Sequence, residues 1–160
     1  MAASSSHPVS HTPMTRLYLA HHADALPSEA DALRPLSPAG RAHVERLARA
    51  AAARGVKPDV VWHSGKLRAR QTAEAYWRAC NALAPFSAQR DLQPSDPPAA
   101  MRDRLRGDAR DVLIAGHFPH LPRLLALLLS DEAAAFPQHG LVALVSDDDG
   151  ESWREEWRLA

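Results

Sequence analysis

Three compact apolar runs, each giving way to a helical pattern, constrain this chain more than any other feature. Residues 16–20 alternate and are rich in strand formers, while DVVWHS at 59–64 and DVLIAG at 111–116 are nearly continuous apolar stretches. Short runs with no polar face read as strands buried on both sides, the pattern of a parallel sheet covered by helices. Consecutive parallel strands need a crossover between them, and helices supply it with right-handed connections. The expected fold is therefore α/β, a three-layer α/β/α sandwich around a mostly parallel central sheet.

The helices have their own signals. Ser37 and Pro38 form an N-cap and first-turn pair, Val44, Leu47, Ala48 and Ala51 recur at helical spacing, and Gly55 closes that helix. After the second run, Thr72, Tyr76, Ala79 and Leu83 mark an apolar face; after the third, Leu121, Leu124, Leu125 and Leu128 do. Pro122 falls where a first turn tolerates proline. A shorter helix is expected over 98–106. The chain ends differently, with GLVALVSDDDGESWREEWRLA reading as two strands around an Asp149–Gly150 turn, with Trp153, Trp157 and Leu159 on one face. This hairpin is expected to add antiparallel strands at the sheet edge.

A chain of 160 residues suits one domain with a real core. Residues 15–160 are expected to form it. The polar, proline-broken MAASSSHPVSHTP start lacks the apolar run of a secretion signal, and residues 1–14 read as a flexible tail. Acidic and basic residues balance at 19 each, so no overall field recruits nucleic acid or a membrane surface. LLALLL at 124–129 is far too short to span a bilayer. The single cysteine, Cys80, sits in an apolar helical pattern as a buried thiol, which fits a reducing, cytoplasmic setting.

In an open α/β sheet the ligand crevice lies beyond the carboxyl ends of the strands. His21, His22 and Asp24 follow the first strand, Ser64 to Arg70 follow the second, and His117 follows the third. Three distant segments thus bring imidazoles and cations to one place. Against that stand bland readings: Lys66 and Arg70 as solvated helix charges, His120 as a first-turn residue, His43 on a solvated helix face, and His63 and His139 outside any motif.

LYLAHHADA, PLSPAGR, HSGKLRARQTAE and LIAGHFPHL resemble the successive signatures of the histidine phosphatase superfamily, and the short chain is similar to its SixA-type phosphohistidine phosphatases. The resemblance implies that His22 is a nucleophile that becomes transiently phosphorylated, that Arg68 grips the phosphoryl oxygens, and that His117, charged or at least donating, adds a second donor. No metal or cofactor is implied. A phosphoryl group in transfer spreads charge over three oxygens, so positioned donors and a neutral imidazole nitrogen are what the chemistry asks for.

The opening motif departs from the family's Arg-His-Gly, reading His21, His22, Ala23. Arginine is charged at any accessible pH, whereas histidine is mostly neutral above about pH 6.5, so His21 would restore the lost donor to the extent that it is protonated. Asp24, Asp91 and Asp96 are the carboxylates that could protonate a leaving group, and Asp24 could equally orient a histidine or cap a loop. A phosphoramidate needs less help from an acid, which favours a protein-borne phosphohistidine as substrate, with a small phosphate ester as the other possibility. Two rivals remain: a phosphate-binding module that has lost turnover with its arginine, and a metal-dependent hydrolase, against which the adjacent His21 and His22 argue by spacing.

Overall fold

The computed structural model describes residues 13–160, so the expected tail lies almost entirely outside the described residues. Strands β1 (Thr15–His21), β2 (Val60–His63), β3 (Phe86–Ala88) and β4 (Val112–Gly116) run parallel, and β5 (Leu141–Ser146) and β6 (Arg154–Leu159) antiparallel to their neighbours, in the order β3-β2-β4-β1-β5-β6. Helices α1 (Pro38–Ala53) and α2 (Leu67–Cys80) cover one face, and α3 (Pro98–Leu105) and α4 (His120–Leu129) the other. This is the expected three-layer sandwich with an antiparallel edge.

Alternation along the strands splits the interior into two cores. Leu17, Leu19, Trp62, Val112 and Ile114 point to Met101, Leu105, Leu121, Leu124 and Leu125. Tyr18, Ala20, Val61, Leu113 and Ala115 point to Val44, Leu47, Ala48, Ala51 and Tyr76. Residues of both parities are buried in β1, β2 and β4, which is why those strands carry no polar face. Truncating any of the larger leucines to alanine costs about 2–5 kcal/mol in such a setting.

Ser37 caps α1 as expected: its Oγ accepts from the Gly40 N–H at 3.0 Å, with Pro38 as the first helical residue. Gly55 closes it at φ +84°. Two expected faces differ. Helix α2 buries Ala69, Thr72, Ala73 and Tyr76 but ends at Cys80, so Ala79 is exposed and Leu83, beyond the Asn81 cap, is 96% exposed. Trp153 joins the Leu17 core, whereas Trp157 and Leu159 pack on the Tyr18 side. Trp153 precedes β6, so the strand's two-residue alternation does not extend back to it. The short strand β3 was not foreseen; three residues carry too little pattern to announce themselves.

Gly40 shows how tightly the first loop is held to α1. A Cβ there would overlap the Asp24 carbonyl oxygen, which also accepts from the Ser37 N–H at 2.9 Å. The substitution Gly40→Ala should lower stability by about 1–3 kcal/mol, seen as a lower urea midpoint at unchanged m-value.

Candidate active site

Because β4 lies between β1 and β2, the carboxyl ends of three parallel strands meet: His21 pairs with Gly116, and His63 with Ala115. The chain leaves β1 with the His22 N–H donating to the Gly116 carbonyl at 3.0 Å. Thr72, fully buried on α2, accepts from the Ala23 N–H at 3.0 Å and donates to the Arg68 carbonyl at 2.8 Å. His22, Arg68 and His117 therefore converge. The rings of His22 and His117 lie 5.2 Å apart, and Arg68 is near enough for its charge to oppose protonation of His21, His22 and His117.

His22 is prepared by its own backbone. Nδ1 lies 2.8 Å from the Ala23 carbonyl oxygen, and since a carbonyl only accepts, the ring proton sits on Nδ1 and Nε2 carries the free lone pair. Burial pulls its pKa to about 4; the Ala23 bond opposes this, and the charges of Arg68, His139 and Arg34 add to it. The ring is thus a neutral base at ordinary pH.

His117 is buried and held at about 3, by burial first and then by His22, Arg68, Lys66 and His21. The expected charged form is not favoured here; the residue can serve as a donor only through a neutral N–H. Its Nε2 lies 2.6 Å from Ser64 Oγ, which accepts from the Lys66 N–H at 3.3 Å. If Ser64 in turn donates to Nε2, the ring proton is on Nδ1, a buried atom without a partner. Arg68 Nε is likewise buried and unpartnered. Burial and Arg34 hold the Arg68 guanidinium below its usual range. Buried polar atoms without a partner are costly, and an anion bound near His22 could serve both.

His21, too, is buried, and burial, His22, His139 and Arg68 bring it down to about 3. The expectation that protonation would let it replace an arginine is not supported. Its ring stacks on Phe118 at 3.9 Å and lies parallel to His139 at 4.9 Å.

The expected carboxylates do not gather around this cluster. Asp24 is exposed and accepts from Ser37 Oγ at 2.7 Å. Asp96 accepts from the Gln93 N–H, and Asp91 pairs with Arg104 at 3.6 Å. Gln93 from the same loop donates to the Ser64 carbonyl at 2.7 Å. His120 is fully buried with neither ring nitrogen bonded, and His63 Nδ1 accepts from the Gly65 N–H. Arg70 pairs with Glu74 on an exposed face.

Two residues of the site escaped the sequence reading. Arg34, just before the PLSPAGR motif, adds positive potential at both His22 and Arg68. His139 precedes β5, whose first residue Leu141 pairs with Ala20, so an antiparallel strand begins where β1 ends. That geometry is the signal that could have found it. His21, His22 and His139 offer ring nitrogens within 4.8 Å of one another. The planes of His21 and His139 are only 3° from parallel, however, so their in-plane lone pairs do not converge on one ion as they stand.

A family model described as histidine phosphatase superfamily (branch 1) matches residues 17–94. The solved structure of the protein histidine phosphatase SixA complexed with tungstate superposes with a TM-score of 0.78 at 22% identity, covering 91% of this chain and 97% of that one. A chain assigned as phosphohistidine phosphatase SixA from Agrobacterium tumefaciens gives 0.76 at 28% identity, with the same coverage. Residues 17–94 thus match the histidine phosphatase superfamily model in sequence, and the chain is similar to SixA in fold. The fold also resembles that of a mycobacterial glucosyl-3-phosphoglycerate phosphatase, with a TM-score of 0.68 at 16% identity over 90% of this chain and 98% of that one. No curated protein matches. The histidine phosphatase match covers the His22 and Arg68 segments, and His117 lies beyond it.

Three histidines held neutral, His21 and His117 buried and His22 half-buried, make a definite pH signature. Each takes up a proton near pH 6.5 when unfolded but only at about 3 to 4 when folded, so the unfolded state binds more protons between those values. Stability should therefore be full above about pH 6.5 and fall as pH drops toward 4, with up to three protons taken up by these histidines on unfolding and further uptake by His43, His63 and His120, which burial also shifts down. Urea titrations from pH 7.5 to 5 measure this slope. His22→Phe should reduce it by one proton.

Proposed function

We propose that this chain is a metal-independent phosphatase that works through a phosphohistidine at His22, with protein-borne phosphohistidine as its substrate. The family match and the SixA-like fold support phosphatase activity. The observation that carries the catalytic reading is the 2.8 Å bond from His22 Nδ1 to the Ala23 carbonyl, which leaves Nε2 free in a ring that stays neutral.

Nε2 attacks phosphorus in line with the departing imidazole. The bond from phosphorus to the substrate nitrogen breaks, and that nitrogen keeps the electron pair and takes a proton from solvent. Arg68, with its unpaired Nε, and a His117 N–H meet the charge on the equatorial oxygens. Water then attacks phosphorus from the opposite side, the Nε2–P bond breaks, and phosphate leaves with His22 restored. None of the expected carboxylates is bonded into the cluster, which suits a substrate whose leaving group is itself basic.

A second reading, a phosphate-binding module without turnover, is favoured by one observation: a buried neutral imidazole, His21, stands where the family places a permanent cation. One experiment separates the two. Incubation with a phosphohistidine peptide, followed by mass mapping that avoids acid, should find phosphate on His22. His22→Ala should lose the label and lower turnover by at least about 1000-fold, and activity should survive a chelator. Label on another residue, or undiminished label in the variant, would overturn the nucleophile assignment. Phosphate bound with neither label nor turnover would favour the binding module.

A further inference from the structure

The loop that ends at Gly140 is bonded to both members of the histidine pair. The His139 main-chain N–H donates to His21 Nδ1 at 2.7 Å, and His139 Nδ1 lies 2.7 Å from the His22 carbonyl oxygen. The His21 main-chain N–H in turn donates to the Gly140 carbonyl at 3.0 Å. His139 holds this pose at φ +58°, in the left-handed region that only glycine, asparagine and aspartate enter readily.

These bonds decide where protons are. A carbonyl only accepts, so His139 carries its proton on Nδ1. A main-chain N–H only donates, so His21 Nδ1 must be a bare acceptor and the His21 proton must sit on Nε2. We propose that His139 is a positioning residue of this site: its loop locks His21 as a fixed Nε2–H donor toward phosphoryl oxygens, doing with a set hydrogen bond what the family does with a charge.

The lock has a consequence that burial alone does not impose. Protonating His21 means adding a proton at Nδ1, which would set two donors against each other across 2.7 Å. A bound anion therefore cannot draw a proton onto His21 without breaking the His139 bond. The groups facing His21 push the same way. They are His22 on its own segment, His139 on the loop before β5 and Arg68 on α2, and Phe118 after β4 covers the ring. The side-chain bond from His139 to the His22 carbonyl holds the loop that delivers the lock, so a side-chain substitution reaches a main-chain donor.

This inference rests on the phosphate-site reading above, but its test does not depend on turnover. In protein with nitrogen-15-labelled imidazoles, long-range proton–nitrogen correlations report each ring's tautomer. The expected result for the native chain is His21 as the Nε2–H form from pH 7.5 to 5, unchanged when inorganic phosphate is added. In His139→Ala, His21 should show mixed tautomers, take up a proton when phosphate binds, and bind phosphate about tenfold more weakly at pH 7.5. His139→Asn, which tolerates the backbone and can donate an amide N–H to the His22 carbonyl, should restore the native pattern. A native His21 protonated on Nδ1, or titrating between pH 5 and 7, overturns the proposal. So does a folded His139→Ala variant with native tautomer and phosphate affinity. If His139→Ala fails to fold, the native spectra and His139→Asn still decide. Absence of a phosphoenzyme at His22 would sink the phosphatase reading and leave the tautomer result standing.

Discussion

The hydroxyl of Thr72 ties the two halves of the site together. It takes the Ala23 N–H and gives its own proton to the Arg68 carbonyl, at 3.0 and 2.8 Å, with no exposure to water. One small side chain thus sets the residue after His22 against the first turn of the helix that carries Arg68. In the reaction proposed above, positioning dominates, and an ångström of slack between His22 and the Arg68 guanidinium would weaken the chemistry more than a change of surface charge. The bond also explains a polar residue on the buried face of α2, where valine would fill the same space but leave the Ala23 donor without a partner.

Most of the architecture could be read before any coordinates, because the informative elements are long or strongly patterned. Strands buried at every residue, as β2 and β4 are, must be almost continuously apolar, and Ser37–Pro38 marks a helix start, with the Ser37 hydroxyl satisfying the Gly40 N–H. What failed were places where local pattern and tertiary context part. Leu83 has the spacing of α2, yet the helix ends at Cys80 and the leucine faces water. Trp153 shares the parity of Trp157 but lies before the strand begins, so it turns into the other core.

Within the site, His22, Arg68 and His117 announced themselves through strand-end placement and motif together. His139 did not, because nothing in QHGLV marks chemistry; only the pairing of β5 against β1 brings it to His21. Arg34 was hidden in a loop for the same reason. Protonation states were equally out of reach from sequence. A histidine in the chain looks like a pH switch, yet burial among other histidines and Arg68 makes His21, His22 and His117 permanently neutral over the range in which free imidazole titrates.

The two margins of the sheet differ from its interior in a way that bears on how the chain behaves among copies of itself. At one margin β3 is only three residues long, too brief to template a foreign strand. At the other, β6 reads REEWRL, and its charges pair along the rim, Arg158 with Glu155 at 2.6 Å and Arg16 with Glu156 at 3.1 Å. An incoming segment would have to strip water from those ions before it gained a single main-chain bond, so the open ends of the ladder discourage fibril-like growth while the apolar strands stay sheltered between them.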